Sequence, residues 1–535
     1  MRVRPKQAWF LAFTAVFAVL AGIVFWGTWS LDFVPVMPDT STTYAADQVS
    51  RNWSALIENC RFIPFDLVGL AGSPYFWQEL KFVLALYLAA LGVFYLCRGR
   101  GLSRPASYGA GLLLAFCGYW ATLFSAGHFG WFQWMAHGVF AFGLADRAVT
   151  KGGLRHWFLL GATVSWAGFN QQDLWLLFSC FTAAYFVWCC IRERRLPWKG
   201  ALVALAAFVL IGIPNFRTAL GETLKGRVDQ INRSENVTQK NGSDADKRWE
   251  FVTNWSMPPE DTLEFFNARV HGDTSCPFVL SINGRKGVRP YTGALGRPLN
   301  APQGNYRQHS LYVGWITCLL ALCGIALGRK RRDVWFFTCA ALVFYALSLG
   351  RYFEPAYRIV FALPFGDLIR CPVKWHHLTE FCLVVLSAYG IQGILESKVL
   401  AAAWAQRRRL GLWLVCAVVV LGAFDLALEA KRFCAPVNVS EARRTNSSMQ
   451  MTILPRQQFQ NPQVAAMVKA GRIVSIASYL GNPDYFVVGI LDRWTPRKSS
   501  DVSLFSLVFG LLSILTTLSI AIYSISVVSK PRNMV

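Results

Sequence analysis

The sequence predicts an all-α polytopic membrane protein of about twelve transmembrane helices carrying two small mixed external loop domains. Three observations predict it. The 535 residues are 54% hydrophobic, 15% aromatic and only 16% charged, a balance foreign to soluble enzymes. The apolar residues gather into runs near the ~20 residues that cross a bilayer core about 30 Å thick. The Lys and Arg residues fall in short clusters between alternate runs. That last pattern changes the meaning of the net charge of +23. In a soluble chain it would point to nucleic acid; here it is the positive-inside signature, so no nucleic acid is expected and membrane lipids are the expected partner.

The runs are 9–27, 80–97, 107–125, 130–146, 156–170, 173–191, 200–216, 310–328, 333–350, 378–396, 411–428 and 503–527. The first follows Met1-Arg-Val-Arg-Pro-Lys, exceeds a signal-peptide core and lacks a small-x-small cleavage site, so it is expected to stay as a span. Alternate connections carry Arg98/Arg100/Arg104, Arg147/Lys151/Arg155, Arg192/Arg194/Arg195/Lys199, Arg329–Arg332 and Lys398/Arg407–Arg409, and the tail carries Lys530 and Arg532. The alternation places both termini in the cytoplasm and puts the long loops outside. The chain then divides into 1–216 (seven spans with the first external loop, 28–79), an external subdomain 217–309, and 310–428 (four spans with an interfacial segment 350–377). A second external subdomain, 429–502, and a last span with its cytoplasmic tail, 503–535, complete it.

The loop 217–309 mixes Asn, Gly, Ser and both charges with short apolar groups such as Phe278-Val-Leu-Ser-Ile, which predicts short helices and strands. The loop 429–502 holds Met451-Thr-Ile-Leu, a helical pattern over Pro462–Ile476 and the run Tyr485–Leu491. The 14 cysteines show neither CxxC pairs nor zinc spacing, so those within apolar runs, such as Cys117 and Cys318, are expected to be small core residues.

Candidate chemistry concentrates on the external side. In the first loop Asp32, Asp39 and Asp47 follow the first span, and Asp39 stands where a carboxylate meets a polar head group. The run Trp157–Phe169 has 13 residues, about 20 Å of helix, too short to cross alone. The turn after it, Asn170-Gln171-Gln172-Asp173, then has to face protein or water at membrane depth. The turn Ser125-Ala-Gly-His-Phe-Gly presents His128, while Gln133 and His137 share one helix face, where His137 is expected to be a core residue. Between 350 and 377, the apolar part Ile359–Leu363 is stopped by Pro364 and predicts an interfacial helix. It would hold Arg358, Arg370 and Lys374 at head-group height, where they grip a phosphate or contact anionic lipid. His376, His377 and Glu380 follow; His376 and Glu380 share a face and supply two ligands towards a metal site, with no partner ligand recognised.

The pieces Leu70-Ala-Gly-Ser-Pro-Tyr, Ser125-Ala-Gly-His-Phe-Gly, Tyr312-Val-Gly and Gly350-Arg-Tyr…Leu363-Pro-Phe…Arg370-Cys-Pro-Val-Lys, in that order over about residues 5–395, resemble bacterial YfhO-type membrane proteins. These are multi-spanning members of the GT-C glycosyltransferase superfamily. The resemblance implies a GT-C-like fold in the bacterial cytoplasmic (inner) membrane. It also implies transfer of a sugar from a polyprenyl-phosphate-linked donor to an envelope acceptor, whether glycan, lipid or protein, on the external, periplasmic face. By the same resemblance Asp39 matches the first-loop acid, which acts as general base or holds a metal, His128 the Gly-His turn, and Arg370 with Lys374 the basic pair. Two departures stand: Pro38-Asp39-Thr40 replaces a paired acid or Gly-Asp, and the last loop has no counterpart.

The chemistry suits that layout. A lipid-linked sugar keeps its tail in the bilayer, so the protein needs a cationic clamp on the leaving phosphate and a carboxylate to deprotonate the acceptor. Arg370, Lys374 and Arg358 would bind the phosphate; His128, Gln171, Gln172 and Asp173 would line the substrate space. A divalent metal is compatible with this chemistry and not required by the sequence. Two other classes fit the same spans: a transporter or flippase of a lipid-linked saccharide, and a non-catalytic scaffold for envelope assembly. Few carboxylates within the spans and no internal repeat weigh against the transporter.

Overall fold

Helices cover the first eleven apolar runs in the computed structural model, which describes residues 5–26, 33–35, 74–126, 131–167, 172–212, 244–270 (without 254 and 269), 310–397 (without 364, 365, 367 and 368), 408–433, 436–438, 447–455, 462, 473–479 and 482–493. The helices are α1 (Pro5–Val24), α2 (Pro74–Gly99), α3 (Arg104–Phe116), α4 (Gly118–Ala121), α5 (Leu123–Ala126), α6 (Phe132–Lys151), α7 (Leu154–Trp166), α8 (Gln172–Glu193) and α9 (Trp198–Gly212). They continue as α10 (Asp244–Val252), α11 (Trp315–Gly328), α12 (Arg332–Ser348), α13 (Glu354–Ala362), α14 (His376–Glu396) and α15 (Arg408–Phe433). The protein is a helical membrane protein. Among the described residues five helices are long and apolar enough to cross a membrane, and six if α12 and α13, bent by 113°, count as one broken span. The expected twelfth run, 503–527, lies outside the described residues.

Two expectations need correction. The third run, 107–125, is not one helix: α3 ends at Cys117, whose extended backbone (φ −58°, ψ 141°) restarts the chain as the short α4. The break is satisfied from outside, since the Gly118 amide donates to the Tyr312 carbonyl at 2.9 Å. The helical pattern over 462–476 is corrected at its end, where 473–476 belong to a strand starting at Ile473, while 463–472 lie outside the described residues. That strand, β4 (Ile473–Tyr479), follows β1 (Phe33–Pro35), β2 (Pro436–Asn438) and β3 (Ser447–Pro455), and precedes β5 (Asn482–Arg493). Strands β3 and β4 both pair antiparallel with β5, so the loop 429–502 contains a three-stranded sheet in the order β3-β5-β4. β1 pairs antiparallel with β2 (Phe33 opposite Asn438), so the loops 28–79 and 429–502 leave the bundle side by side.

The five basic connections share one end of the bundle. Arg100 after α2 and Arg192 in α8 meet Asp146 of α6 and Asp333 of α12, and Arg331 reaches Glu396 at 3.3 Å. The opposite end collects the break at Cys117, Trp131, Tyr312 and the start of α14.

The scaffold beneath that second end is the α11–α14 crossing. Gly324 and Gly390 face each other there, and a Cβ on either would collide with the other helix's backbone, at Leu386 and Leu320 respectively. Such small-residue contacts replace the hydrophobic drive that lipid does not supply. The corner between α12 and α13 turns on Gly350, whose φ of +51° and contacts with Ser256 and Pro372 leave no room for a side chain.

Candidate functional site

The residues between Gly350 and Glu380 form a continuous rim at the end opposite the basic connections. After the corner at Gly350, α13 runs only from Glu354 to Ala362, nine residues, and the chain returns through a 3₁₀ turn, Pro372–Trp375, into α14. The expected short helix is therefore present. Its basic residues, however, fare differently. Arg358 is exposed, pairs with Glu354 at 2.9 Å and lies over the Trp249 ring at 4.4 Å. Arg370 is half-buried between the rings of Phe251 and Trp255, at 5.3 and 5.5 Å, with no carboxylate within ion-pairing distance among the described residues. Lys374 is buried.

Between Arg370 and Lys374 the backbone is strained. Cys371 has φ 66° and ψ 81°, a left-handed conformation that side-chain-bearing residues rarely adopt. Hydrogen bonds hold it there: the Cys371 amide donates to Val252 at 3.1 Å, Val373 to Trp255 at 2.9 Å, and Lys374 to Cys371 at 2.9 Å. The first two acceptors, Val252 and Trp255, lie in 244–265, within the described piece (244–270) of the long loop 217–309. Arg351 fastens the same piece, donating from Nε to the Thr253 carbonyl and from Nη2 to the Glu250 carbonyl, each at 3.0 Å. What sequence reasoning took for part of a separate subdomain is thus, over these residues, a helical strap on the rim. The signal was legible, since Trp249, Phe251 and Trp255 stand close together in an otherwise polar loop.

Behind the rim the interior is aromatic and polar at once. His376, His377 and Glu380, on the first turns of α14, are completely buried. The His377 ring sits 4.0 Å from Tyr119, 4.9 Å from Trp131 and 5.3 Å from Trp134, centroid to centroid. The His376 ring packs on Phe265 at 4.5 Å. Glu380 Oε1 accepts the Tyr119 backbone amide at 3.2 Å, which ties α14 to the break in the third run. His376 Nε2 lies 3.3 Å from the same oxygen. The carboxylate Glu380 was missed as an intramembrane acid because it was weighed only as a metal ligand. Among the described residues no group of three or more His, Cys, Asp or Glu is arranged to hold a metal ion, so this pair stays at two ligands.

Arg370 and Lys374 are the predicted residues that the fold puts on one turn of backbone. Gln172 and Asp173 occupy the first turn of α8. Asp39, His128 and Gln171 lie outside the described residues. His137 is buried, its ring 6.3 Å from that of Trp166, as a core histidine would be. Comparison with family models, with curated proteins and with solved structures finds no match to the chain.

Proposed function

We propose that the protein is a YfhO-like, GT-C-type membrane glycosyltransferase of the bacterial inner membrane, with both termini cytoplasmic and its long loops periplasmic. It moves a sugar from a polyprenyl-phosphate donor to an envelope acceptor on the external face. One observation carries the reading: Arg370, seated on aromatic rings and free of any carboxylate among the described residues, is one strained residue away from the turn that carries Lys374. A guanidinium that carries no ion pair among the described residues is available for an anion, and Arg matches a phosphate bidentately. Lys374 adds a point charge beside it. Asp39, in the loop that leaves the bundle beside β2, deprotonates the acceptor hydroxyl, and the phosphate leaves towards the cations. His128, Gln171, Gln172 and Asp173 complete the substrate space, with Arg358 at its margin.

The test is sugar transfer from a polyprenyl-phosphate donor by the purified protein, with donor binding followed separately. Asp39→Asn is expected to keep donor binding and to lower turnover roughly 10²–10⁴-fold. Asp32→Asn and Asp47→Asn are expected to cost far less. Normal turnover in Asp39→Asn would remove the assigned base. Donor flipping across proteoliposomes without any transfer would favour a flippase instead.

A further inference from the structure

The pair His376–Glu380 has no part in the sugar-transfer reading, yet it is a costly arrangement. Both side chains are completely buried within α14, where an ionisable group is expected to face a partner or a function. Among the described residues neither ring nitrogen of His376 makes a hydrogen bond, and Glu380 Oε2 has no nitrogen or oxygen partner, the Cys117 thiol being the one further group that reaches the carboxylate. The Nε2 to Oε1 distance of 3.3 Å is short enough for attraction, while the geometry falls short of a hydrogen bond. Glu380 is nevertheless not adrift, since Oε1 holds the Tyr119 amide. A purely structural acceptor at the Cys117 break would need one oxygen and no imidazole. The histidine one turn away, 3.3 Å from the same carboxylate, is left over.

We propose that His376 and Glu380 form a proton-binding site inside the bundle, one proton shared between imidazole and carboxylate and exchanged with solvent from the rim that carries Arg370 and Lys374. With the proton on, the pair is a carboxylic acid beside a neutral imidazole, or the equivalent ion pair, and carries no net charge. With the proton off, it is a carboxylate beside a neutral imidazole and carries one negative charge. The proton comes from and returns to water, and no other bond changes. Rotation of the ring about its side-chain torsions converts the 3.3 Å contact into an Nε2···H···Oε1 hydrogen bond.

The surroundings favour such a site over a fixed charge. Aromatic rings enclose it, with Phe265 against His376 and Tyr119 against both histidines. An unpaired charge in that setting is expensive, so gain or loss of one proton has a large effect. The titratable groups placed against the pair are Cys117 and Tyr119 at the break and Cys318 on α11, with the buried Glu264 next in sequence to Phe265 and Lys374 and His377 along the pair's own stretch of chain; Cys117 and Cys318 both lie within reach of the Glu380 charge. None of these supplies a fixed counter-ion to Glu380 among the contacts that the side chain makes.

The proposal does not depend on the sugar-transfer reading, because its readout is spectroscopic. Infrared difference spectra of the purified full-length protein, recorded between about pH 5 and 8 where an imidazole-coupled site exchanges, would show a protonated-carboxyl stretch that titrates. The band is expected to vanish in Glu380→Gln, which keeps an acceptor for the Tyr119 amide. Its midpoint is expected to move by about one pH unit or more in His376→Gln. A spectrum without the band, a band that survives Glu380→Gln, or a midpoint unmoved by His376→Gln would each overturn the shared site. Should Glu380→Gln fail to fold, histidine-selective ¹⁵N spectra of the wild-type and His376→Gln proteins decide. A His376 signal that changes protonation with the carboxyl band supports the site, and one fixed throughout overturns it.

Discussion

At the end of the bundle where Arg100, Arg192, Asp146 and Asp333 meet, each guanidinium reaches both carboxylates at 2.6–2.9 Å, so two positive and two negative side chains form a closed square. Trp188 adds an indole donor to Asp333 at 2.9 Å. At the other end Arg370 rests on Phe251 and Trp255 without a carboxylate among the described residues, and Glu380 has one oxygen with no nitrogen or oxygen partner there. Both ends place charge in a poorly solvated setting; only one of them settles it internally. At the square, burial works against the Arg100 charge, and the carboxylates of Asp146 and Asp333 more than offset that, so its proton is held more tightly than in water. The lesson is that buried charge alone does not mark a site, whereas buried charge with an unfilled bonding capacity does.

The contrast can be broken most sharply at the square. Asp333→Ala leaves Arg192 and Arg100 each with one partner fewer in a buried setting, and is expected to destabilise by about 3–5 kcal/mol. Thermal unfolding in detergent measures this, and the double variant with Arg192→Ala should recover part of it. At the rim, Arg370→Ala is expected to weaken donor binding by roughly 1.5–3 kcal/mol, as for loss of a charged hydrogen-bond donor, while hardly moving the unfolding temperature. Unchanged donor affinity in the Arg370→Ala, Lys374→Ala double variant would reduce both residues to lipid anchors. Between the two ends, Gly390→Leu forces α11 and α14 apart. A stability loss of about 1–3 kcal/mol is expected, with the rim losing binding because α14 starts there. The smallest effect belongs to Arg358→Ala. Its exposed pair with Glu354 is expected to contribute no more than about 1 kcal/mol to stability, and a large loss of donor binding there would show that it joins Arg370 on the phosphate.

The fold was legible where hydropathy dominates. Eleven apolar runs and the common end of the five basic clusters follow from residue order, because lipid leaves helices no alternative for their backbone groups. The same clusters also show what charge statistics leave out. Arg100 and Arg192 counted as positive-inside residues, yet they are bound to Asp146 and Asp333, which sit at the last and first positions of their expected runs and so counted in no span interior. The site was legible in part. The short helix before Pro364 and the basic pair Arg370/Lys374 follow from pattern, whereas the strap at 244–265 depends on contacts with residues about a hundred positions away, which no local pattern encodes. Glu380 bonding to the Tyr119 amide was hidden for the same reason, across 261 residues.

The strap has a consequence in time rather than space. Thr253 accepts the Arg351 side chain from 98 residues further along the chain. A ribosome adding about 5–20 residues per second makes that interval roughly 5–20 s. Throughout it Trp249, Phe251 and Trp255 have emerged, while the corner at Gly350 and the Cys371 amide they fasten have not been made. The aromatic seat of Arg370 is therefore among the last parts of that end to be assembled, and it is laid over helices that have already been inserted. A ribosome that stalls before Gly350 would release a chain without α14 and α15 and with three unmatched aromatic side chains, a surface that quality-control proteases and chaperones recognise.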